Sequence, residues 1–497
     1  MDEVLQNNDQ KTIDNKSFKQ NIAFNLIVQI LTYFIPLIIT PYITRVLGVT
    51  GVGTASYVLS IVGYFSIIVS WGFDSYGSKK ISASRDCKEE YSKIFWNIYL
   101  GKLFIFLVSF SVYFSLCYLG VFGDTIDINI YLVASILIFA QFTNITFLFS
   151  GIEKFKIISI VQLITNAILL LLVFLLVKKP QDVYIFVILK TSQLLLSFLI
   201  LWFISSRYLV KPVFSFQTLR NCFVESIPFL VPALAPTLAT SIDQTMIGTL
   251  SSIDEVAYYQ ESLKIILLIC ALFYSVSPVG LSRFSYLFKQ GKIDEVVEKT
   301  QGLFNLLSFV IFPSIAGLYA IGRFIIVAYL GFDFQPSVYV LYILLPMLFT
   351  SSINSVLMNC YYYPVGKTKF VAFVFASSLT LNISLNILFI RLWGSVGAAI
   401  STLLTDSSQM LLLFIFCSKT MKLTKMFSKT YKSLLCSIIM GAFVFAIGLL
   451  LNMNGFSNLV IIIITVIVGV VSYLAFCLLI KEPISQIALA KIRRKAK

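Results

Sequence analysis

The sequence has no histidine, and its eight cysteines are scattered without any C-x-x-C pair. Without histidine a Ser-His-Asp triad cannot form, and a proton-coupled step must use carboxylates or lysines. The cysteine spacing indicates reduced structural thiols and, together with the missing histidine, predicts no metal site. These absences argue against a triad hydrolase and against a metalloenzyme.

Nucleotide-binding motifs and large polar loops are also missing. The chain has no G-x-x-x-x-G-K-[ST] sequence, so it cannot drive itself with ATP. Gly48, Gly51 and Gly53 lie in a short link rather than between a strand and a helix, which excludes a dinucleotide fingerprint. No link is long enough to hold a soluble domain or a set of catalytic groups beyond the membrane. We therefore predict no catalytic residues and no cofactor.

Charge is scarce, and apolar residues fill most of the chain. Only 12% of the residues are charged, 58% are hydrophobic, and the mean hydropathy is +0.91. A bilayer core of about 30 Å needs about 20 apolar residues as a helix, because hydrocarbon offers no partner for backbone groups. The sequence therefore predicts an all-α polytopic membrane protein with about fourteen spans. These lie at 22–43, 52–72, 97–119, 129–150, 157–177, 183–204, 222–250, 256–279, 303–323, 338–357, 370–390, 396–417, 433–451 and 459–480.

Lysine and arginine concentrate in alternate links between the spans. Basic residues accumulate on the cytoplasmic side, so this pattern predicts that both termini are cytoplasmic. The net charge of +15 is then a consequence of topology and attraction to anionic lipid, and no nucleic-acid partner is predicted. The polar first 20 residues carry no cleavable signal pattern, so the first span is interpreted as a retained helix.

Spans 5–6 resemble spans 11–12, which indicates an internal repeat. Lys154 and Lys156 match Lys367 and Lys369, one pair just before each span pair. Six spans followed by six in the same orientation predict two parallel-repeat lobes around a central cavity. The predicted organisation is a cytoplasmic tail at 1–20, an N-lobe at 21–210, a C-lobe at 211–420, spans 13–14 at 421–481 and a basic tail at 482–497.

Prolines recur in the first span of each predicted lobe. Pro36 and Pro41 lie in span 1, and Pro228, Pro232 and Pro236 follow one another at intervals of four in span 7. Proline removes a backbone hydrogen bond and bends a helix. These residues are candidate hinges for opening and closing a cavity, although simple helix bending explains them equally well.

Four cations lie within spans or at their ends: Arg45, Lys102, Lys190 and Lys264. A charged side chain that faces lipid costs several kcal/mol, so such residues should face the protein interior or water. Structural ion pairs and interfacial snorkelling are the alternatives to a role in a cavity.

Four acids lie in the same kind of position. Glu225 and Asp243 are 18 residues apart, about five turns, which places them on one face near opposite ends of span 7. Glu261 can pair with Lys264 at i,i+3. Asp406 in span 12 is at a depth similar to that of Lys190 in span 6. Each acid is a candidate for a functional role or for a structural ion pair.

Several segments resemble the signature of Wzx-type oligosaccharide-lipid flippases. The resemblance extends over about residues 20–480, with Ala257 where the family more often has glycine before a tyrosine pair. The 6+6+2 plan is similar to the multidrug/oligosaccharidyl-lipid/polysaccharide exporter superfamily, and the fold it implies is MATE-like. The segments are Leu47-Gly-Val-Thr-Gly-Val-Gly-Thr54, Gly72-Phe-Asp74, Asp243-Gln-Thr-Met-Ile-Gly248, Asp254-Glu-Val-Ala-Tyr-Tyr259 and Glu261-Ser-Leu-Lys264.

The resemblance implies a substrate, which is an undecaprenyl-diphosphate-linked oligosaccharide. It would move by alternating access from the inner to the outer face of the bacterial cytoplasmic membrane for capsule, exopolysaccharide or O-antigen synthesis. The other implied partners are membrane lipids, a polysaccharide polymerase and glycosyltransferases, with Na⁺ or H⁺ as a possible coupling ion.

On this reading we expect two roles for the charged residues of the spans. The residues expected to bind the headgroup are Arg45, Lys102, Lys190 and Lys264. The residues expected to act in coupling or gating are Glu225, Asp243, Glu261 and Asp406.

Other functions fit the sequence less well. A MATE-type drug/cation antiporter should have an acidic cavity, whereas the charges in these spans are mixed and favour an anionic cargo. A flippase for lipid II or a teichoic-acid precursor is a close alternative. A membrane glycosyltransferase or polymerase lacks the outer loop it would need, and a scaffold has no need for buried charge.

Overall fold

The predicted all-α class is confirmed. A computed structural model describes residues 2–122, 126–274, 278–417, 430–486 and 489, and this part of the chain is 87% helical without strands. Its side chains are described at 35–122, 126–230, 234, 237–238, 240–270, 284–417, 430–486 and 489.

The described residues form seventeen α-helices and three shorter helical turns. The helices are α1 (Asp2–Ser70), α2 (Phe73–Ala83), α3 (Lys88–Tyr118), α4 (Ile128–Ala134), α5 (Ile136–Thr143), α6 (Thr146–Gly151), α7 (Phe155–Leu176), α8 (Val183–Ser205), α9 (Phe216–Leu250), α10 (Ile253–Tyr274), α11 (Pro278–Lys289), α12 (Ile293–Leu330), α13 (Ser337–Leu344), α14 (Met347–Leu357), α15 (Thr368–Cys417), α16 (Thr430–Met453) and α17 (Asn458–Leu479). Two 3₁₀ turns (Pro180–Asp182 and Phe332–Phe334) and a π-helix (Met358–Tyr362) complete the set.

Ten helical stretches of the described chain are long and apolar enough to cross a membrane. One of them, Ile35–Ala83, contains the end of predicted span 22–43 and the whole of span 52–72, and another, Thr368–Cys417, contains spans 370–390 and 396–417. The path of each turns at one glycine with a left-handed φ, Gly48 (68°) and Gly394 (55°). Predicted spans 7 and 8 lie on α9 and α10, which include residues outside the described side chains. The total of fourteen therefore stays a prediction.

The predicted spans 129–150 and 338–357 coincide with two of these stretches, Ile128–Gly151 and Ser337–Tyr362, but each stretch is interrupted. Span 129–150 is divided into α4, α5 and α6, and span 338–357 into α13 and α14. In the second case Pro346 follows α13 and has no N–H with which to continue the helix. In the first case Asn144 has an extended ψ of 114° and its side-chain oxygen accepts a hydrogen bond from the Thr146 N–H.

The chain divides into two compact units, Met1–Thr245 and Met246–Lys497. The first unit includes residues 206–215 and most of α9, because side chains of α3 hold this link. The Asn97 amide joins it twice: it donates to the Val213 carbonyl and accepts from the Ser215 N–H, both at 3.0 Å. Further bonds run from Tyr91 to Tyr208 O (2.7 Å) and from Trp96 to Val210 O (3.0 Å). The finer lobe boundaries of the sequence analysis stay predictions.

Each unit has its own apolar core. The core of the first unit joins α2, α3, α5, α6 and α8, with Phe73, Phe95 and Phe147 almost fully buried. A core of the second unit joins α12, α16 and α17 around Phe324, Met440 and other buried side chains. All eight cysteines lie in the described part of the chain as thiols rather than disulfides, and seven of them are buried.

A break in the helical path separates α1 from α2 and starts the shorter helix. Trp71 and Gly72 both have left-handed φ values, 45° and 73°. Only glycine adopts this region without strain, and a bulky residue there is an outlier that the surroundings must hold in place. A Cβ atom at Gly72 would lie 2.8 Å from the backbone nitrogen of Leu230 on α9. The break therefore lets two backbones approach closely.

We expect the substitution Gly72→Ala to destabilise the protein strongly, because it combines a left-handed φ with a backbone clash. Gly120→Ala is the matched control, since Gly120 also has a left-handed φ (67°) but no atom within 4 Å of its Cβ position. The control should cost only the backbone strain, about 1 kcal/mol. Thermal unfolding of both purified variants measures the difference. Equal losses of stability would show that the contact with α9 contributes nothing.

Candidate functional site

The first unit contains a cavity of about 1430 Å³ whose wall is rich in charge and hydroxyl groups. It lies among α2, the end of α6 and the start of α7. Its charged lining residues are Asp74, Lys79, Glu153, Lys154 and Lys156. Its hydroxyl residues are Ser75, Ser78, Ser82, Thr146, Ser150 and Tyr208, and its ring and alkyl residues are Phe147, Phe155, Ile157 and Ile160.

An ion pair lies at the wall of this cavity. The Lys102 ammonium is 2.8 Å from Asp74 Oδ1, and the lysine side chain is fully buried, whereas Asp74 is 29% exposed. Lys102 also donates to the Asn144 carbonyl (2.9 Å) and lies over the Phe147 ring at 5.2 Å. The lysine thus satisfies a carbonyl that the break between α5 and α6 leaves without a helical partner.

The second carboxylate oxygen of Asp74 is surrounded by polar donors. Ser70 donates to Asp74 Oδ2 at 2.9 Å, and the amide groups of Gln141 and Asn144 are each 3.4 Å from it. A carboxylate at this depth is stable only when it is paired and hydrogen-bonded. Asp74 therefore joins the start of α2 to α3 and to the end of α5.

The lining of the cavity has three lysines and two acids, and each acid is in an ion pair. Asp74 is paired with Lys102, and Glu153 is paired with Arg85 at 2.6 Å. Neither of these cations lines the cavity. The three lining lysines, at positions 79, 154 and 156, therefore set the sign of the field inside it. Such a wall attracts anions, and its hydroxyl and aromatic groups suit a polar ring compound.

The four predicted binding cations are not gathered at this cavity. Lys102 is behind its wall, and Arg45, Lys190 and Lys264 are not among its described lining residues. Arg45 is exposed on α1 and donates to the Pro41 carbonyl at 2.6 Å. Lys190 is exposed on α8, and Lys264 pairs with Glu261 at 2.6 Å on α10, as the i,i+3 spacing indicates.

The predicted coupling acids have separate surroundings. Glu225 on α9 pairs with Lys80 at 2.7 Å, and both side chains are partly exposed. Asp243 is buried, with 3% of its surface exposed. Asp406 on α15 accepts hydrogen bonds from side chains of α14. Their coupling and gating roles stay predictions.

The candidate hinge prolines lie within helices. α1 continues through Pro36 and Pro41, and Gly48 is the residue in it with non-helical backbone angles. Pro228 is exposed on α9. Pro232 and Pro236 lie outside the described side chains.

Sequence reasoning missed Asp74 and the three lining lysines as site residues. Asp74 was visible only as the last residue of a family-like motif, and the lysines were interpreted as markers of topology. The signal that could have identified Lys154 and Lys156 was their recurrence as Lys367 and Lys369 in the repeat.

The second unit contains a cavity of a different kind, of about 540 Å³. Its wall is almost entirely apolar and is formed mainly by α12, α16 and α17. The lining includes Pro313, Gly317 and Ile321 of α12, Met440 of α16 and Val470 of α17. A wall of this composition suits a hydrocarbon chain.

These features define a multi-pass helical membrane transporter. The chain belongs to the family described as "Polysaccharide biosynthesis protein", whose model matches residues 18–279. This membership confirms the predicted relationship to polysaccharide transporters.

The names of two relatives agree with this assignment. The chain is 23% identical over 409 residues to a "Putative O-antigen transporter" of Shigella dysenteriae, which covers 81% of this chain and 100% of that protein. A protein of the same name in Escherichia coli (strain K12) is 22% identical over 80% of this chain and 97% of its own length.

The fold is similar to that of lipid II flippase MurJ in an inward closed conformation. The TM-score is 0.73 at 18% identity, covering 93% of this chain and 100% of that one. A multidrug resistance MATE family transporter of the MOP superfamily, in an inward-facing conformation, matches with a TM-score of 0.62 at 13% identity. That match covers 79% of this chain and 95% of the other.

We expect Lys102→Met to destabilise the first unit by about 3 kcal/mol, because it leaves the Asp74 carboxylate without its cation. The double variant Lys102→Met/Asp74→Asn should recover a large part of that loss, since it removes both charges. Thermal or denaturant unfolding of the two single variants and the double variant gives the coupling energy. Additive losses would show that the two charges do not stabilise each other.

Proposed function

We propose that this protein is a flippase for undecaprenyl-diphosphate-linked oligosaccharide repeat units. It moves them from the inner to the outer face of the bacterial cytoplasmic membrane by alternating access. The exported unit is used for capsule, exopolysaccharide or O-antigen synthesis. The family membership and the names of the two curated relatives support this class of cargo.

The observation that carries the proposal is the lysine-lined cavity of the first unit. A diphosphate is multiply anionic, and ammonium groups form short charge-assisted hydrogen bonds with phosphate oxygens. Lys79, Lys154 and Lys156 supply these donors, and the serine and threonine hydroxyls of the wall can bond to sugar hydroxyls. A headgroup of this chemistry cannot cross hydrocarbon without such a polar surface.

The apolar cavity of the second unit supports the lipid part of the proposal. An isoprenoid chain has no polar atoms, so it can pack against an apolar wall without desolvating any polar group. The wall around α12, α16 and α17 offers that surface, and the rest of the tail remains in the bilayer. The protein moves this substrate without converting it, and glycosyltransferases and a polymerase act before and after it.

An organic-cation antiporter is the rival within the same fold. It requires a wall whose net charge is negative. At the cavity of the first unit each of the two lining acids is paired with a cation, and the lining also has three lysines, so the net charge of these groups is positive. This sign favours an anionic cargo.

We expect the triple substitution Lys79→Gln/Lys154→Gln/Lys156→Gln to reduce export of the repeat unit by at least about tenfold. The loss of three phosphate donors, each worth about 1 kcal/mol or more, is the physical reason. The measurement is the amount of lipid-linked repeat unit on the inner leaflet of cells that carry the variant in place of the wild type. Composition of the accumulated sugar identifies the cargo.

The matched control is Lys289→Gln/Lys292→Gln, the last residue of α11 and the residue before α12, neither of which lines this cavity. The control should export at the wild-type rate. Wild-type export by a correctly inserted triple variant would contradict the proposal. New sensitivity to cationic dyes without accumulation of lipid-linked sugar would instead favour the antiporter.

The apolar cavity gives a second test. Gly302 and Gly317 both lie on α12, and a Cβ atom at either meets no heavy atom within 4 Å, but only Gly317 lines the cavity. Gly317→Phe should fill the cavity and lower the export rate several-fold, because the isoprenoid chain loses its contact surface. Gly302→Phe should leave export unchanged. Equal export by the two variants would show that the isoprenoid tail does not bind in this cavity.

A further inference from the structure

A smaller polar cavity of the first unit, of about 280 Å³, lies among α2, α3 and the start of α9. The proposed function gives it no role. We call it the α2–α9 pocket and define it by five of its lining residues, three charged and two with amide or hydroxyl groups. They are Lys80 of α2, Glu90 of α3, and Thr218, Asn221 and Glu225 of α9.

The α2–α9 pocket and the larger cavity lie on two faces of the same short helix. Residues three and four apart share a helix face. The residues of α2 that line the larger cavity are Ser75, Ser78, Lys79 and Ser82. Those that line the pocket are Tyr76, Lys80 and Ala83. The neighbouring lysines at positions 79 and 80 therefore belong to different sites, and α2 separates them.

The charges of the pocket suit a ligand that carries both signs. Its lining has two carboxylates and one lysine, so the net charge of these groups is negative. Lys80 Nζ is 2.7 Å from Glu225 Oε2, and the Tyr76 hydroxyl is 3.4 Å from the same oxygen. An ammonium group has three N–H donors, so Lys80 can also bond to an acceptor of a ligand. Glu90 is exposed in the first turn of α3 and can receive a positive group.

A phosphoethanolamine group matches these side chains. Its ammonium group can bond to the Glu90 carboxylate, and its phosphate can accept from the Lys80 ammonium. The Asn221 amide and the Thr218 hydroxyl are further donors for the phosphate. Hydrogen bonds between charged groups of this kind are short and strong. A simple cation would use only the carboxylates, and a simple anion would meet a wall of net negative charge.

The pocket lies where the headgroup of a membrane lipid lies. Its residues on α2 and α3 are close to the ends of two apolar stretches, Ile35–Ala83 and Lys88–Tyr118, that are long enough to cross a membrane. The ends of such stretches reach the headgroup region. On α9, Val224 follows Asn221 by three residues and is 57% exposed, and Ile227 is 54% exposed. These apolar side chains offer a surface for acyl chains beside the pocket.

We propose that the α2–α9 pocket binds one zwitterionic lipid through its phosphoethanolamine headgroup. The lipid then contacts one face of α2, whose other face carries Lys79 of the larger cavity. Binding does not require the oligosaccharide substrate, so it can be measured even if the proposed cargo is wrong. An effect of this lipid on export rests on the proposed function.

The test is lipid binding to the purified full-length protein, measured by native mass spectrometry. Phosphatidylethanolamine and phosphatidylcholine with the same acyl chains compete, and the two share the phosphate, but the choline nitrogen has no N–H. One phosphatidylethanolamine should bind about tenfold more tightly, because only its ammonium group donates to Glu90. Glu90→Gln should abolish this preference. The matched control Glu89→Gln changes an exposed acid in the same turn that does not line the pocket, and should keep the preference.

The double variant Lys80→Gln/Glu225→Gln tests the phosphate contact. It removes an ion pair as a whole, so no unpaired charge is left, and it should weaken both lipids by a similar factor because both carry the phosphate.

Three results would overturn the proposal. The first is a wild type that does not distinguish the two lipids, and this comparison is valid even if a variant fails to fold. The second is a preference that persists in folded Glu90→Gln. The third is glycerophosphoethanolamine, which has the headgroup without acyl chains, binding as tightly as the lipid. That result would show that a soluble compound occupies the pocket.

Discussion

The buried ion pair between Lys102 and Asp74 is the constraint on which the candidate site depends. The lysine is fully enclosed, so its charge is tolerable only with a carboxylate at 2.8 Å and a carbonyl at 2.9 Å. Both partners exist because helices are broken there. The break after Ser70 starts α2 with Asp74 in its first turn, and the break at Asn144 frees a backbone carbonyl. The ion pair thus joins three elements that would otherwise be continuous or independent helices.

This arrangement also determines the charge of the cavity. An acid in the wall would oppose an anionic ligand if it were unpaired. With Asp74 matched to Lys102 and Glu153 matched to Arg85, the lysines of α2, the α6–α7 link and α7 are the charges that a ligand encounters. Fixed charges that are neutralised locally hold the structure together, and those left at the surface of the cavity select the ligand.

The sequence was sufficient for the class of the molecule and insufficient for its site. Span length, hydropathy and the family-like motifs predicted an all-α membrane protein of the polysaccharide transporter group, because the bilayer imposes its length on every helix. The helix interruptions at Trp71–Gly72 and Asn144 could not be predicted from span length and hydropathy. Each depends on a contact that is distant in sequence, with Leu230 for the first and Lys102 for the second.

The charged residues also differ in how far their partners could be predicted from the sequence. The pairing of Glu261 with Lys264 follows from helical spacing and is present. The partners of Lys102 lie 28 and 42 residues away, and those of Asp406 lie 52 to 56 residues away, so no local pattern contains them. Lysines in the links were interpreted only through the positive-inside pattern and the internal repeat, and neither pattern indicates a role in binding.

The central claim is that the cavity of the first unit receives the diphosphate headgroup, and photocrosslinking tests it most directly. A photoreactive amino acid is placed at Ser78, in the cavity wall, or at Phe104, which is 66% exposed on α3. Each protein is then illuminated with an undecaprenyl-diphosphate-linked oligosaccharide in lipid nanodiscs. The account predicts labelling of the sugar headgroup from position 78, competed by excess unlabelled substrate, and none from position 104. Headgroup labelling that is equal at both positions, or absent at position 78 in a protein that still flips the substrate, would contradict it.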